Sequence, residues 1–193
     1  MSQSWKMHKF GGSSLYDADC FKRVAEIIAK ESVARTGVVV SAMGGVTDRL
    51  LRLTVLAERD DKGFVDELDA LGERIAAAAT ALLTPAARSL ILDQWSQDAR
   101  DLTDILKSIA AVKSAPQRSR DLVSGYGELW SARLLAAYLA EKLGNDRGGV
   151  WLDARKILTI RHGELGPAVN WQQSQRRFDE QLADFDEGVV VIT

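Results

Sequence analysis

Lys9-Phe10-Gly11-Gly12-Ser13-Ser14 places a cation, a pair of glycines and two hydroxyls in one short stretch. Glycines lack Cβ, so backbone N–H groups can approach an anion closely, and a helix beginning just beyond them favours negative charge at its N-terminus. Ser13 and Ser14 add donors, and Lys9, just ahead of the turn, can reach a transferring phosphate as a cation. A second glycine turn, Met43-Gly44-Gly45-Val46-Thr47, has the same character. The chemistry these residue types suit is the binding of a phosphoanion. A glycine pair after a strand suits a tight turn without a ligand equally well, and spacing alone does not decide between the two. Neither G-x-x-x-x-G-K-[ST] nor a G-x-G-x-x-G after a strand occurs, and the loop patterns of protein kinases are missing too.

Other chemically capable residues carry structural readings of similar weight. Glu128 is a carboxylate suited to the first turn of a helix. Thr47 suits a helix N-cap, and Ser41 a buried strand serine satisfied by backbone. His8 and His162 have no metal-ligand spacing around them, Cys20 reads as inert packing, and Trp130, Trp151 and Trp171 read as core or interface anchors.

The elements that must position these loops are legible from periodicity. Gly37–Ala42 and Gly188–Thr193 are near-continuous Val/Ile runs bounded by glycine, as expected for strands buried on both faces of a parallel sheet. Met7–Phe10 and Gly149–Asp153 are further strand candidates. Asp17 is placed to cap a helix running to about Glu31, and Thr47 or Asp48 to start one carrying Leu50, Leu51 and Leu53. Apolar residues recur at helical spacing over 62–83 and again over 85–112, which predicts an antiparallel hairpin turned at Thr84-Pro85 and closed by Pro116. One more helix is expected from about Glu128 to Leu143, stopped by Gly144-Asn145, and another from the Asn170 cap to about Asp184. The expected class is therefore α/β: a largely parallel sheet sandwiched by helices, with a helical insertion at about 62–115.

Bulk properties narrow the setting. Hydrophobic residues make up 46% and charged residues 27% of the 193, the balance of an ordinary globular protein. A net charge of −2 gives no general reason to expect nucleic acid or an anionic membrane as partner. The single cysteine, the lack of an apolar segment in the first ten residues and the shortness of the Ile75–Leu83 run lead to the expectation of a cytoplasmic chain with no membrane span.

Four segments, in order, resemble the aspartokinases of the amino-acid kinase family: Lys9-Phe10-Gly11-Gly12-Ser13-Ser14-Leu15, Val39-Val40-Ser41-Ala42 with Thr47, Ser124-Gly125-Tyr126-Gly127-Glu128, and Trp151-Leu152-Asp153-Ala154-Arg155. His8–Leu15, Trp130–Leu134 and Trp151–Arg155 are worded most like the kinase part of the bifunctional aspartokinase–homoserine dehydrogenases. The resemblance implies an amino-acid kinase-like N-terminal lobe and an activity that phosphorylates the side-chain carboxylate of L-aspartate with ATP and Mg²⁺. It implies that Lys9 contacts the transferring phosphate, that Gly11, Gly12 and Ser13 line the ATP phosphate site, and that Ser41, Thr47 and Glu128 bind aspartate. It also implies a homo-oligomer for the full-length enzyme. The family's later glycine-rich segment, its nucleotide lobe and its regulatory and dehydrogenase domains have no counterpart in these residues, so a truncated kinase domain is expected. The alternative is a non-catalytic module of kinase-like fold that binds a ligand or a partner.

Overall fold

The computed structural model describes residues 5–31, 34–144, 147–163 and 166–193. Its strands are β1 (Trp5–Phe10), β2 (Arg35–Val40), β3 (Gly149–Leu152), β4 (Ile160–Gly163), β5 (Gly166–Val169) and β6 (Gly188–Ile192). Its helices are α1 (Ala18–Ala29), α2 (Val46–Glu58), α3 (Gly63–Leu82), α4 (Pro85–Val112), α5 (Gln117–Ser124), α6 (Tyr126–Leu143), α7 (Ala154–Ile157) and α8 (Trp171–Gln181). The main sheet has the order β1-β2-β6-β3 and every pairing in it is parallel, while β4 and β5 form a separate antiparallel pair.

The valine run of β6 explains itself in this setting. Val189 and Val191 join the large core with Phe21, Val24, Ile28, Leu135 and Leu139 of α1 and α6. Val190 turns to the opposite face, where Leu152 and Ile157 pack with Trp5, Phe178, Leu182 and Phe185. Both faces are covered, so no position in the strand can be polar. Helix α6 sits centrally and is buried on most of its circumference, through Leu129, Trp130, Ala132, Leu134, Leu135 and Leu139.

The hairpin expected at Thr84-Pro85 is formed by α3 and α4, with Pro85 in the first turn of α4. Its tip is held by α6, because the Thr84 N–H and hydroxyl both donate to the Glu141 carboxylate. Gly72 lets the two helices close up: a Cβ there would lie 2.4 Å from Trp95 Cη2.

Several expectations are corrected. Thr47 is not an N-cap; α2 starts at Val46, and its cap is Gly45 at φ +79° with no side-chain hydrogen bond. Pro116 opens the short helix α5, which is too brief and polar to show a periodicity. The β4–β5 pair leaves no mark on the periodicity, since neither strand alternates apolar with polar residues. Trp171 is 75% exposed and anchors no core. Asn145 and the His162 side chain lie outside the described residues. Among those described, no helix is long and apolar enough to cross a membrane.

Candidate active site

Strands β1 and β2 pair with Lys9 opposite Val39 and Phe10 opposite Val40, and the Ser41 N–H donates to the Phe10 carbonyl at 3.1 Å. Their carboxyl ends are therefore level, and the two glycine loops leave the sheet side by side, where parallel α/β sheets hold ligands. The first loop folds into a 3₁₀ turn over Gly12–Leu15, with Ser14 N–H on the Gly11 carbonyl at 3.0 Å and Leu15 fully buried beneath it.

Gly12 is where the loops touch. A Cβ on it would stand 3.0 Å from the Ala42 carbonyl oxygen and 3.5 Å from Gly44 Cα, so backbone meets backbone there. Above Gly11 a Cβ would find only Lys9 Nζ, at 4.0 Å. The space over that glycine is thus open and bordered by an amine, which suits a phosphate. Lys9 is exposed and makes no ion pair among the described residues.

The third component arrives with α6. The Ala42 N–H donates to Glu128 Oε1 at 3.4 Å, a long bond that nevertheless aims the carboxylate at the second loop. Gly127 permits the approach, since a Cβ on it would lie 2.8 Å from Ala42 Cβ and 3.2 Å from Val46 Cγ1. Ala42 is therefore the meeting point: its carbonyl abuts Gly12, its N–H faces Glu128 and its methyl rests on Gly127. Half-buried Ser41 and Thr47 flank this point in sequence. The sequence gives no sign of Ala42's role, which is purely spatial.

Trp151–Arg155 lies at the carboxyl end of β3. Asp153 is 6% exposed and caps α7 by accepting from the Arg155 N–H at 3.0 Å, while the Arg155 guanidinium grips both of its oxygens at 2.9 and 2.7 Å. Burial works to raise the Asp153 carboxyl, but the Arg155 hydrogen bonds outweigh it and hold the group below its ordinary range. The Tyr126 phenol is pushed up by burial, reinforced by Asp101 and Asp98.

A hollow of about 300 Å³ borders the two loops, lined by Tyr16, Met43 and Arg74 among others. A larger one of about 490 Å³ lies between α3 and α4, lined by Leu68, Trp95 and Thr103, and takes no part in this site. Among the described residues no three of His, Cys, Asp and Glu stand close enough together to hold a metal ion by themselves.

The profile of the Amino acid kinase family matches residues 5–193. The chloroplastic bifunctional aspartokinase/homoserine dehydrogenase 1 of Arabidopsis thaliana is 32% identical over 193 residues, covering 98% of this chain and 21% of that protein. The bifunctional aspartokinase/homoserine dehydrogenase 2 of Escherichia coli is 34% identical over 155 residues, covering 79% of this chain and 18% of that protein. The crystal structure of E. coli aspartokinase III in complex with aspartate and ADP shares the fold, with a TM-score of 0.78 at 24% identity over 98% of this chain and 40% of that one. The chain thus spans about a fifth of the length of those bifunctional relatives. With the family profile running along the whole described chain, from β1 to β6, this protein belongs to the amino acid kinase family.

Proposed function

We propose that this chain supplies the acceptor pocket and the donor-phosphate side of an aspartate kinase, an enzyme that moves the γ-phosphoryl group of ATP onto the side-chain carboxylate of L-aspartate to give 4-phospho-L-aspartate. The observation that carries the reading is the convergence on Ala42, which sets a cation-bordered glycine loop beside a partly buried carboxylate. The names of the relatives, aspartokinases alone or fused to a dehydrogenase, support it.

The chemistry assigns a task to each residue. An attacking carboxylate is already an anion, so no general base is needed; one of its oxygens forms the new bond to the γ-phosphorus as the bond to the bridging oxygen of ADP breaks. The obstacle is repulsion between two anions and the charge that accumulates in the transition state. Lys9 offsets that charge, and Gly11, Gly12 and Ser13 hold phosphate oxygens through N–H and O–H donors. Glu128 receives the substrate ammonium, and Ser41 and Thr47 donate to its carboxylates.

Calorimetry of this chain with aspartate and with ATP–Mg²⁺, followed by a phosphoryl-transfer assay over a panel of acidic amino acids, tests the reading. Aspartate binding and aspartate as preferred acceptor are expected. Preference for another acceptor, or no aspartate binding, overturns it. A kinase-like ligand-binding module without turnover is the alternative reading. Aspartate binding without product would select that one.

A further inference from the structure

Tyr16 closes the first loop, yet its side chain is spent on the second. Its ring occupies the space that Gly44 leaves empty: a Cβ on Gly44 would lie 2.6 Å from Tyr16 Cδ2 and 3.5 Å from Cε2. Gly44 does not have a positive φ, so its need for glycine is steric and comes from this ring and from the Gly12 carbonyl, 3.2 Å from the same Cβ. Burial does not hold the ring in place. Tyr16 is 58% exposed and borders the 300 Å³ hollow lined by Asp17, Ala18, Met43, Ala77 and Ala78. What holds it is Arg74 of α3, 58 residues away in sequence. Arg74 Nη2 donates to the Tyr16 carbonyl at 2.8 Å, and its guanidinium carbon lies 5.1 Å from the centre of the Tyr16 ring. One side chain thus fixes both the backbone and the ring of the residue that bridges the two loops.

We propose that Arg74 and Tyr16 are positioning residues for phosphoryl transfer: the helical hairpin, through Arg74, sets the spacing between the donor-phosphate loop and the acceptor loop. The inference rests on the kinase reading above. Neither residue is given contact with substrate. Their effect is on how Lys9 and the Gly11–Gly12 turn stand relative to Ser41 and Thr47, and phosphoryl transfer depends steeply on such alignment; a misplacement of about 1 Å can cost on the order of 100-fold.

The test is steady-state kinetics on the natural polypeptide that carries this chain, with Tyr16→Phe, Tyr16→Ala, Arg74→Met and the Tyr16→Ala/Arg74→Met pair. Tyr16→Phe keeps ring and carbonyl and should retain wild-type kcat. Tyr16→Ala and Arg74→Met should each lower kcat by roughly tenfold while KM for ATP and aspartate stays within about threefold. The double variant should fall well short of the two single losses combined, because Arg74→Met already removes the ring contact that Tyr16→Ala removes, along with the bond to the Tyr16 carbonyl. Melting curves accompany each variant. Wild-type kcat in all four variants overturns the proposal and leaves the kinase reading untouched. So does additive loss in the double variant, or a loss of kcat that follows melting temperature. If the wild type rejects aspartate but phosphorylates another acid, the aspartate reading falls and the same four variants decide the clamp on that acceptor. Absence of any kinase activity in the wild type overturns both.

Discussion

The main-chain N–H of Ala42 and the carboxylate of Glu128, 86 residues apart in sequence, face each other at 3.4 Å. That relationship depends on Gly127, whose missing side chain lets α6 settle against the second loop. Gly127→Ala places a methyl 2.8 Å from Ala42 Cβ, and overpacking of this kind typically costs about 1–3 kcal/mol. For a chain of this size each kcal/mol lowers the melting temperature by roughly 2–4 °C. Gly125→Ala is the control, since its Cβ would meet nothing nearer than the Asp121 carbonyl at 3.4 Å. Thermal melts should separate the two variants clearly, and calorimetry should show weakened aspartate binding for Gly127→Ala alone.

Glu128→Gln keeps the shape and the acceptor that faces Ala42 but removes the charge offered to an ammonium. Charge-assisted hydrogen bonds are worth about 1.5–3 kcal/mol, so aspartate affinity should fall by roughly tenfold to a hundredfold. ATP affinity should hardly change. An equal loss for both ligands would point to a distorted fold and count against a binding role.

Lys9→Ala removes an exposed side chain with no ion pair among the described residues, so stability should stay within about 0.5 kcal/mol of wild type. Loss of one donor aimed at developing charge commonly costs on the order of 10²–10³ in kcat. That drop, measured with the fold intact by circular dichroism, is the expected result; turnover near wild type would remove Lys9 from the mechanism.

Much of this was legible in one dimension, for reasons that also explain what was not. Val189 to Val191 form a continuous apolar run because both faces of β6 are covered, and that burial prints itself on the sequence. The α3–α4 hairpin prints itself through its period and Pro85. Gly12 and Gly45 stand out as glycines, but only the structure separates a close approach of backbones at Gly12 from a left-handed φ at Gly45. Neither Ala42 nor Arg74 announces its contacts by residue type. Their roles come from contacts with residues 86 and 58 positions away, between Ala42 and Glu128 and between Arg74 and Tyr16, which no periodicity encodes. At Thr47 the sequence is ambiguous, because apolar spacing alone does not separate a threonine cap from a glycine cap two positions earlier.

Trp130 and Arg133 of α6 both reach Asp98 of α4, and the Arg133 guanidinium lies 4.6 Å from the Trp151 ring centre. Asp98 is 8% exposed, so Asp98→Ala leaves a partly buried cation and a buried indole N–H without their partner. Breaking one side of such a pair costs about 3–5 kcal/mol, whereas replacing both members by apolar residues is often close to neutral. Urea denaturation of Asp98→Ala and of Asp98→Ala/Arg133→Leu should show the double variant regaining most of the loss. A double variant as unstable as the single one would mean that packing of the Asp98 site, and not the ion pair, governs stability.

Asp153 gives the chain a specific acid sensitivity. Its carboxyl is held below the ordinary value of about 3.9 by the Arg155 hydrogen bonds, against the opposing effect of burial. A group whose pKa is depressed on folding adds stability that is fully present above the unfolded value and is lost as pH falls through the folded one. Wild type should therefore lose stability between about pH 5 and pH 2 faster than Asp153→Asn, and the two melting curves should converge at the acid end. Asp17 and Glu31, also held low by hydrogen bonds, contribute equally to both proteins and cancel in the comparison. Melting temperatures recorded across that range decide it: parallel lines for the two proteins would show that the Asp153–Arg155 pair contributes nothing to folding.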